Sequence, residues 1–188
     1  MRRQGSVPIT REDSERNERI IHMQKHHTIP LHQIADDPND KLAVKPFVQE
    51  DIQAHDHNCF ELAYVTGGYA SQTLNGVACD ITEGDYFIID YGSCHSYRNC
   101  RDFTLINCLF LAEIIDGALT GCHSFDELLR VCLIRYHRQY FGKTPANRIF
   151  HDTDGRILRL LLGMQQEYEK RDTGYPEIIR ARLMEILI

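Results

Sequence analysis

His55, Asp56 and His57 open a stretch in which imidazoles and carboxylates recur at short intervals. Glu61 follows four residues after His57, and His95 comes later with Tyr97 and Asn99 just beyond it. Three imidazoles and one carboxylate (His55, His57, Glu61 and His95) form a donor set for one divalent transition ion, and Zn, Fe, Ni or Mn would each accept it. The same groups could instead line a polar pocket that hydrogen-bonds a small effector, with Tyr97 and Asn99 added, or could satisfy one another. They meet only if the chain folds back on itself as strands. Extended segments place alternate side chains on opposite faces, so His55, His57 and Glu61 are expected on one face of one segment, with His95 arriving from a neighbouring strand.

The surrounding pattern supplies such strands. From Leu42 onward short β-forming runs alternate with turn residues: Ala43 to Val48, Cys59 to Thr66, Tyr69 to Leu74, Val77 to Ile81, Tyr86 to Ile89, Ser96 to Asn99 and Phe103 to Phe110. Gly67-Gly68, Asn75-Gly76 and Gly84-Asp85 break these runs, and Asn75-Gly76 is the strongest hairpin signal because both residues accept the positive φ of a tight turn. Many short strands at near-regular spacing predict a sandwich or small barrel. Large residues at Phe60, Leu62 and Tyr64 on the second face of their strand require a cover, and the C-terminal third offers helices for it. Ser124 and Glu127 form a capping box ahead of a periodic run to Tyr140 that Gly142 stops. Asp152 or Asp154 begins a second helix, and Pro176 sits in the first turn of a third, giving a helical hairpin. Its apolar positions Leu158, Leu161, Leu162, Ile179, Leu183 and Ile186 exceed what one barrel wall requires.

The stretch resembles the two-part signature of the cupin β-barrels, G-x5-H-x-H-x3/4-E-x6-G and G-x5-P-x-G-x2-H-x3-N. It matches at His55, His57, Glu61, Gly68, Gly84, Gly92, His95 and Asn99, with Gln49 in place of the leading glycine and Asp90 in place of the proline. The resemblance implies a mainly β fold with α, a cupin-like double-stranded β-helix followed by an α-helical hairpin. The wider arrangement of polar arm, H-x-H-x-x-x-E-L-A-Y-V barrel, G-D-Y-F-I-I-D-Y-G-x-x-H-S-Y segment and terminal helices resembles the effector-binding half of AraC-type transcription regulators over roughly residues 42 to 188. That resemblance implies a barrel binding a small effector, often a sugar, a hairpin that forms a homodimer through those six apolar positions, and DNA contact through a C-terminal domain with two helix-turn-helix motifs. Such a domain would follow Ile188, and the apolar, uncapped end of the last helix fits an expectation of a longer protein. The expected division is an arm at 1–41, a barrel at 42–112 and a helical region at 113–188. The alternative is a metal-dependent cupin enzyme, an isomerase, dioxygenase or decarboxylase acting on a small sugar or acid.

Composition limits the remaining options. A formal charge of −6 with no basic run argues against a nucleic-acid surface on these residues. No window has the length of a transmembrane helix and no secretory signal follows Met1, so a cytoplasmic protein is expected. The seven cysteines contain no C-x-x-C pair and read as reduced thiols. His22 and His26 stand four apart on an expected N-terminal helix but lack an acidic partner, so a solvated helix face is the plainer reading. Cys94, His95 and Cys100 match no standard site. Arg98, Arg101 and Arg180 are candidates for an anionic effector, although solvated charges are the commoner outcome, and His123, His137 and His151 stand alone.

Overall fold

The computed structural model describes residues 27–124, 127–128 and 149–187. The expected N-terminal helix with His22 and His26, and the helix from Ser124 to Gly142 with His137 apart from its first residues, lie outside the described residues. The Ser124 cap itself is present: Ser124 Oγ accepts the Glu127 N–H at 3.2 Å.

The strands are β1 (His27–Thr28), β2 (Leu42–Val48), β3 (Ile52–Asp56), β4 (Phe60–Leu74), β5 (Val77–Thr82), β6 (Asp85–Ile89), β7 (His95–Phe110) and β8 (Ile149–His151). They form one sheet in the order β1-β3-β7-β4-β6-β8, with β2 also on β7 and β5 on β4. All pairs are antiparallel except β1 with β3. β7 is the spine, because β4 runs along one edge of it from Phe60 opposite Phe110 to Leu74 opposite His95, while β2 and β3 share the other edge. The last strand, β8, comes from the stretch expected to be helical and pairs with β6.

One expected turn, and the expected gap between Asn99 and Phe103, prove to be bends inside long strands. Gly67-Gly68 does not end a strand: the register against β7 shifts there and β4 continues. Gly68 has φ 77°, and a Cβ on it would lie 2.3 Å from the carbonyl oxygens of Arg101 and Asp102, so only glycine allows the two backbones this close. Asn99 (φ 55°) and Asp102 (φ 47°) bend β7 opposite it. The bulge changes which positions face inward. Glu61, Ala63 and Val65 line the interior before it, and Ala70, Gln72 and Leu74 line it afterwards.

The outer face is covered by helices. Phe60, Leu62 and Tyr64 of β4 and Ile106, Cys108 and Phe110 of β7 form one core with the helices α2 (Arg156–Lys170) and α3 (Tyr175–Leu187). A four-residue helix, α1 (Leu31–Ile34), contributes buried Leu31 to the same core. The start of α2 is fastened to the barrel by Asp152, whose Oδ2 accepts the Leu158 N–H at 3.0 Å and the Tyr64 O–H at 3.2 Å. Burial alone would raise this carboxyl, but the N–H donors at the helix start outweigh it and hold it below the usual carboxylate range. At the other end of α2, Arg171 adopts φ 53° and stops the helix two residues before Thr173.

This packing corrects the expected interface. Leu161, Ile179 and Leu183 are fully buried in the chain's own core between helices and barrel, so they hold the fold together and are not available to a second copy. Leu158 and Ile186 are half-buried against the same core, and Leu162 alone of the six is exposed, at 42%. The stripe is too apolar for the surface because it faces the outer wall of the sheet. Among the described residues no helix is long and apolar enough to cross a membrane.

Candidate metal and ligand site

The expected single extended segment is in fact two strands and a bend. His55 is on β3, His57 lies in the connection after it, and Glu61 is the second residue of β4. β3 and β4 do not pair with each other; both lie against β7, whose first residue is His95, directly opposite His55 in the register. The connection is held by Gly92, whose N–H donates to the His57 carbonyl at 2.9 Å.

Backbone carbonyls set two of the imidazoles. His55 Nδ1 lies 2.9 Å from the Gln53 carbonyl and His57 Nδ1 lies 2.8 Å from the Ile29 carbonyl. A carbonyl only accepts, so each Nδ1 carries a proton, and each ring when neutral offers its Nε2 lone pair to the interior. The His55 and His95 rings stand 4.1 Å apart, with His57 at 5.1 and 5.2 Å from them. All three are buried. Their candidate ligand atoms lie within 4.8 Å of one another. Bonds of about 2.1 Å at tetrahedral angles place ligand atoms about 3.4 Å apart, so the three rings have to draw together to close on an ion.

Glu61 completes the group from one side. Its Oε1 accepts the Asn107 Nδ2–H at 2.7 Å, while Oε2 lies 2.9 Å from His57 Nε2 and 3.8 Å from His95 Nε2. Despite that approach, Oε2 makes no aligned hydrogen bond. Contact between a carboxylate oxygen and an imidazole lone pair is repulsive unless a proton or a cation stands with them. The charges follow that logic. Burial would lower His57, but the neighbouring Glu61 reverses this and its pKa is raised; burial would raise Glu61, but His57 and the other imidazoles hold it down. Burial lowers His55, and it lowers His95 to about 4, so these two rings are neutral near pH 7. Neutral imidazoles, one ionised carboxylate and an unmatched buried oxygen are the donor chemistry a divalent ion requires, and the residues fit such an ion.

Tyr97 stands beside this group, its ring 5.7 Å from that of His95. Asn99 does not join it. It is exposed in the β7 bulge, where its side chain tolerates the positive φ, and the expectation of an effector contact there is corrected. Two residues not singled out from the sequence do belong to the interior. Gln72 is fully buried opposite Tyr97, and Asn107 holds Glu61. Both are polar positions in phase with inward apolar neighbours, a signal readable once the bulge fixes the phase. Arg98 hydrogen-bonds Gln53, Arg101 lies over the Tyr69 ring and Arg180 donates to the Ile115 carbonyl, so none of them faces the site. Among the described residues Cys94 and Cys100 form no ligand group with His95. His123 packs on Tyr91, and His151 pairs with Asp85 at 2.8 Å.

A curled antiparallel sheet with a buried polar interior and a helix pair on its outer wall is the cupin class, a double-stranded β-helix. The profile of the AraC-like ligand binding domain matches residues 45–187, and the chain belongs to that family. Among solved structures it is similar to the AraC-like transcriptional activator CuxR, at 11% identity and TM-score 0.51, covering 78% of this chain and 52% of that one. ToxT from Vibrio cholerae, bound to (E)-4-(8-methylnaphthalen-1-yl)but-3-enoic acid, matches at 8% identity and TM-score 0.49, covering 78% and 55%. An uncharacterized conserved protein with a double-stranded β-helix domain from Klebsiella pneumoniae matches at 22% identity and TM-score 0.31, covering 37% and 64%. The chain thus spans about half the length of CuxR and ToxT. No curated protein matches it in sequence.

Proposed function

We propose that these residues are the effector-sensing part of an AraC-type transcription regulator that binds a small oxygenated molecule, a sugar or related metabolite, inside the barrel. The observation that carries this reading is the buried polar group of His55, His57, Glu61, His95 and Tyr97 within the interior of a ligand-binding domain. Buried polar atoms without partners are expensive, and a ligand that supplies the partners recovers that energy on binding. His55, His57, Glu61 and His95 would hold one divalent ion, which when bound contributes positive charge and Lewis acidity toward an oxygen of the ligand. Metal analysis of the purified protein tests this: near-stoichiometric ion is expected in the wild type and loss of it in His57→Ala, and an ion-free wild type after incubation with Zn, Fe, Ni and Mn refutes the metal.

Regulation would proceed by differential affinity, the ligand favouring one arrangement of barrel and helices over another. DNA binding belongs in this reading to another domain of a cytoplasmic homodimer. Exposed Leu162 and Ile178 on the helix pair are the residues we assign to that dimer contact. Sedimentation should show a dimer that Leu162→Asp weakens, and an unchanged dimer places the contact elsewhere. The ligand set also supports a second reading, a metal-dependent cupin enzyme. Turnover of a small sugar or acid by the metal-loaded protein would favour it.

A further inference from the structure

Six buried side-chain atoms among the described residues have no hydrogen-bond partner, and five of them are in the barrel interior: Glu61 Oε2, Gln72 Nε2, His95 Nδ1, Tyr97 Oη and Asn107 Oδ1. Native interiors leave few such atoms, and a cluster of them marks a place where something else completes the bonding. Their chemistry is directional. The Asn107 amide must donate to Glu61, an acceptor, so its orphaned Oδ1 is an acceptor that calls for a donor. Gln72 takes the Cys79 thiol on Oε1 and is left with its Nε2 donors. Tyr97 is buried, and its phenol O–H is a donor without an acceptor. Gln72 and Tyr97 face each other across β4 and β7, and Tyr97 connects to the histidine group through its contact with His95. Around them the inner wall is apolar and in part small, with Ala63, Val65 and Ala70 on β4 and Phe103 and Leu105 on β7.

Charge narrows the ligand. The buried polar side chains here are His55, His57, Glu61, Gln72 and His95, and no lysine or arginine is among them. Metal-bound imidazoles are neutral, so a divalent ion with Glu61 would leave one uncompensated positive charge in a low-dielectric interior, an unfavourable state that one anionic oxygen removes. A carboxylate does this and has a second oxygen left to accept. A hydroxyl on the same molecule supplies the donor that Asn107 lacks.

We propose that Gln72 and Tyr97 form the distal half of the ligand site and that the site selects a small hydroxy-carboxylic acid, such as a sugar acid, over a neutral polyol. The proposal rests on the metal-bound reading of the proximal half. One carboxylate oxygen neutralises the metal end, Gln72 and Tyr97 donate to the remaining oxygens, and a ligand hydroxyl donates to Asn107. Gln72 is therefore a specificity residue of a site whose metal end alone would accept many oxygen ligands.

The test is calorimetric titration of zinc-loaded protein with D-glycerate, glycerol and propionate, alongside Gln72→Leu and Tyr97→Phe. Glycerate is expected to bind at least tenfold more tightly than glycerol or propionate, and each variant to weaken glycerate about five- to tenfold, the effect of one hydrogen bond. Both variants should keep one zinc per chain and the wild-type thermal midpoint in the absence of acid, which separates lost recognition from lost folding. Zinc-loaded protein that binds none of the three, or binds glycerol as well as glycerate, or whose variants bind glycerate as the wild type does, overturns the proposal and leaves the metal reading standing. A wild type that takes up no zinc removes the metal reading itself.

Discussion

The two faces of β4 are built to opposite rules. Outward, Phe60, Leu62 and Tyr64 pack on the helix pair, and among the described residues the buried polar side-chain atoms there are paired apart from Arg182 Nη1. Tyr64 donates to Asp152, and Asp40 accepts from Tyr168 at 3.3 Å, from Tyr175 at 3.4 Å and from Arg171. Inward, Glu61 and Gln72 share the interior with Tyr97 and Asn107, and each of the four has an unpartnered atom. One strand thus supports a face that is finished within the chain and a face that is not. Paired polar groups add stability, and unpaired ones subtract it until a ligand arrives.

The largest test of this contrast is Leu161→Asp, which puts a charge in the outward core. It should cost about 4–5 kcal/mol or abolish folding, read by urea denaturation, and a stable folded monomer would return Leu161 to an interface. The inward face should respond to pH. His95, lowered to about 4, is fully neutral in the fold at a pH where the unfolded ring protonates near 6.5. Its contribution is therefore present above 6.5 and lost as pH falls toward 4, a change on the order of 2–3 kcal/mol. His55 has the same sign. His57, raised, works the other way, its contribution fully present below 6.5 and lost as pH rises through the raised value. Metal-free protein should therefore lose thermal stability between pH 6.5 and 4, and His95→Phe should flatten that slope.

Asp40→Ala should cost about 2 kcal/mol, because it removes the acceptor that Tyr168 and Tyr175 share and leaves Arg171 only Asp36 at 3.8 Å. Chemical denaturation measures this, and no change would mean the cluster only decorates the surface. The finest comparison uses one substitution on both faces. Tyr64→Phe should lose about 1 kcal/mol with its bond to Asp152, whereas Tyr97→Phe should leave the ligand-free protein unchanged or slightly more stable. Equal losses would erase the distinction.

The sequence carried the buried cluster plainly, since His55, His57, Glu61 and His95 stand at spacings a folded-back chain can bring together. Gln72 was hidden by geometry: inward phase on β4 depends on the bulge at Gly68, and a Gly-Gly pair reads as a turn until the close approach of Arg101 and Asp102 is known. β8 was missed because three residues make no period, and the stretch around it reads as helical in sequence. The helix stripe was legible as apolar, yet an amphipathic face looks the same whether it covers its own sheet or a second copy. Asn99 matched a motif position, but the backbone bend there turns it to solvent.

Ile29 and Asp40 are eleven positions apart on one piece of chain. The first orients the His57 imidazole through its carbonyl, and the second receives three side chains from the C-terminal helices. Leu31 is wedged between them, with its N–H on Asn58. The interior of the cup and its helical back are thus joined by a short brace anchored at both ends, and a tilt of either helix has a direct route to the buried His57 ring.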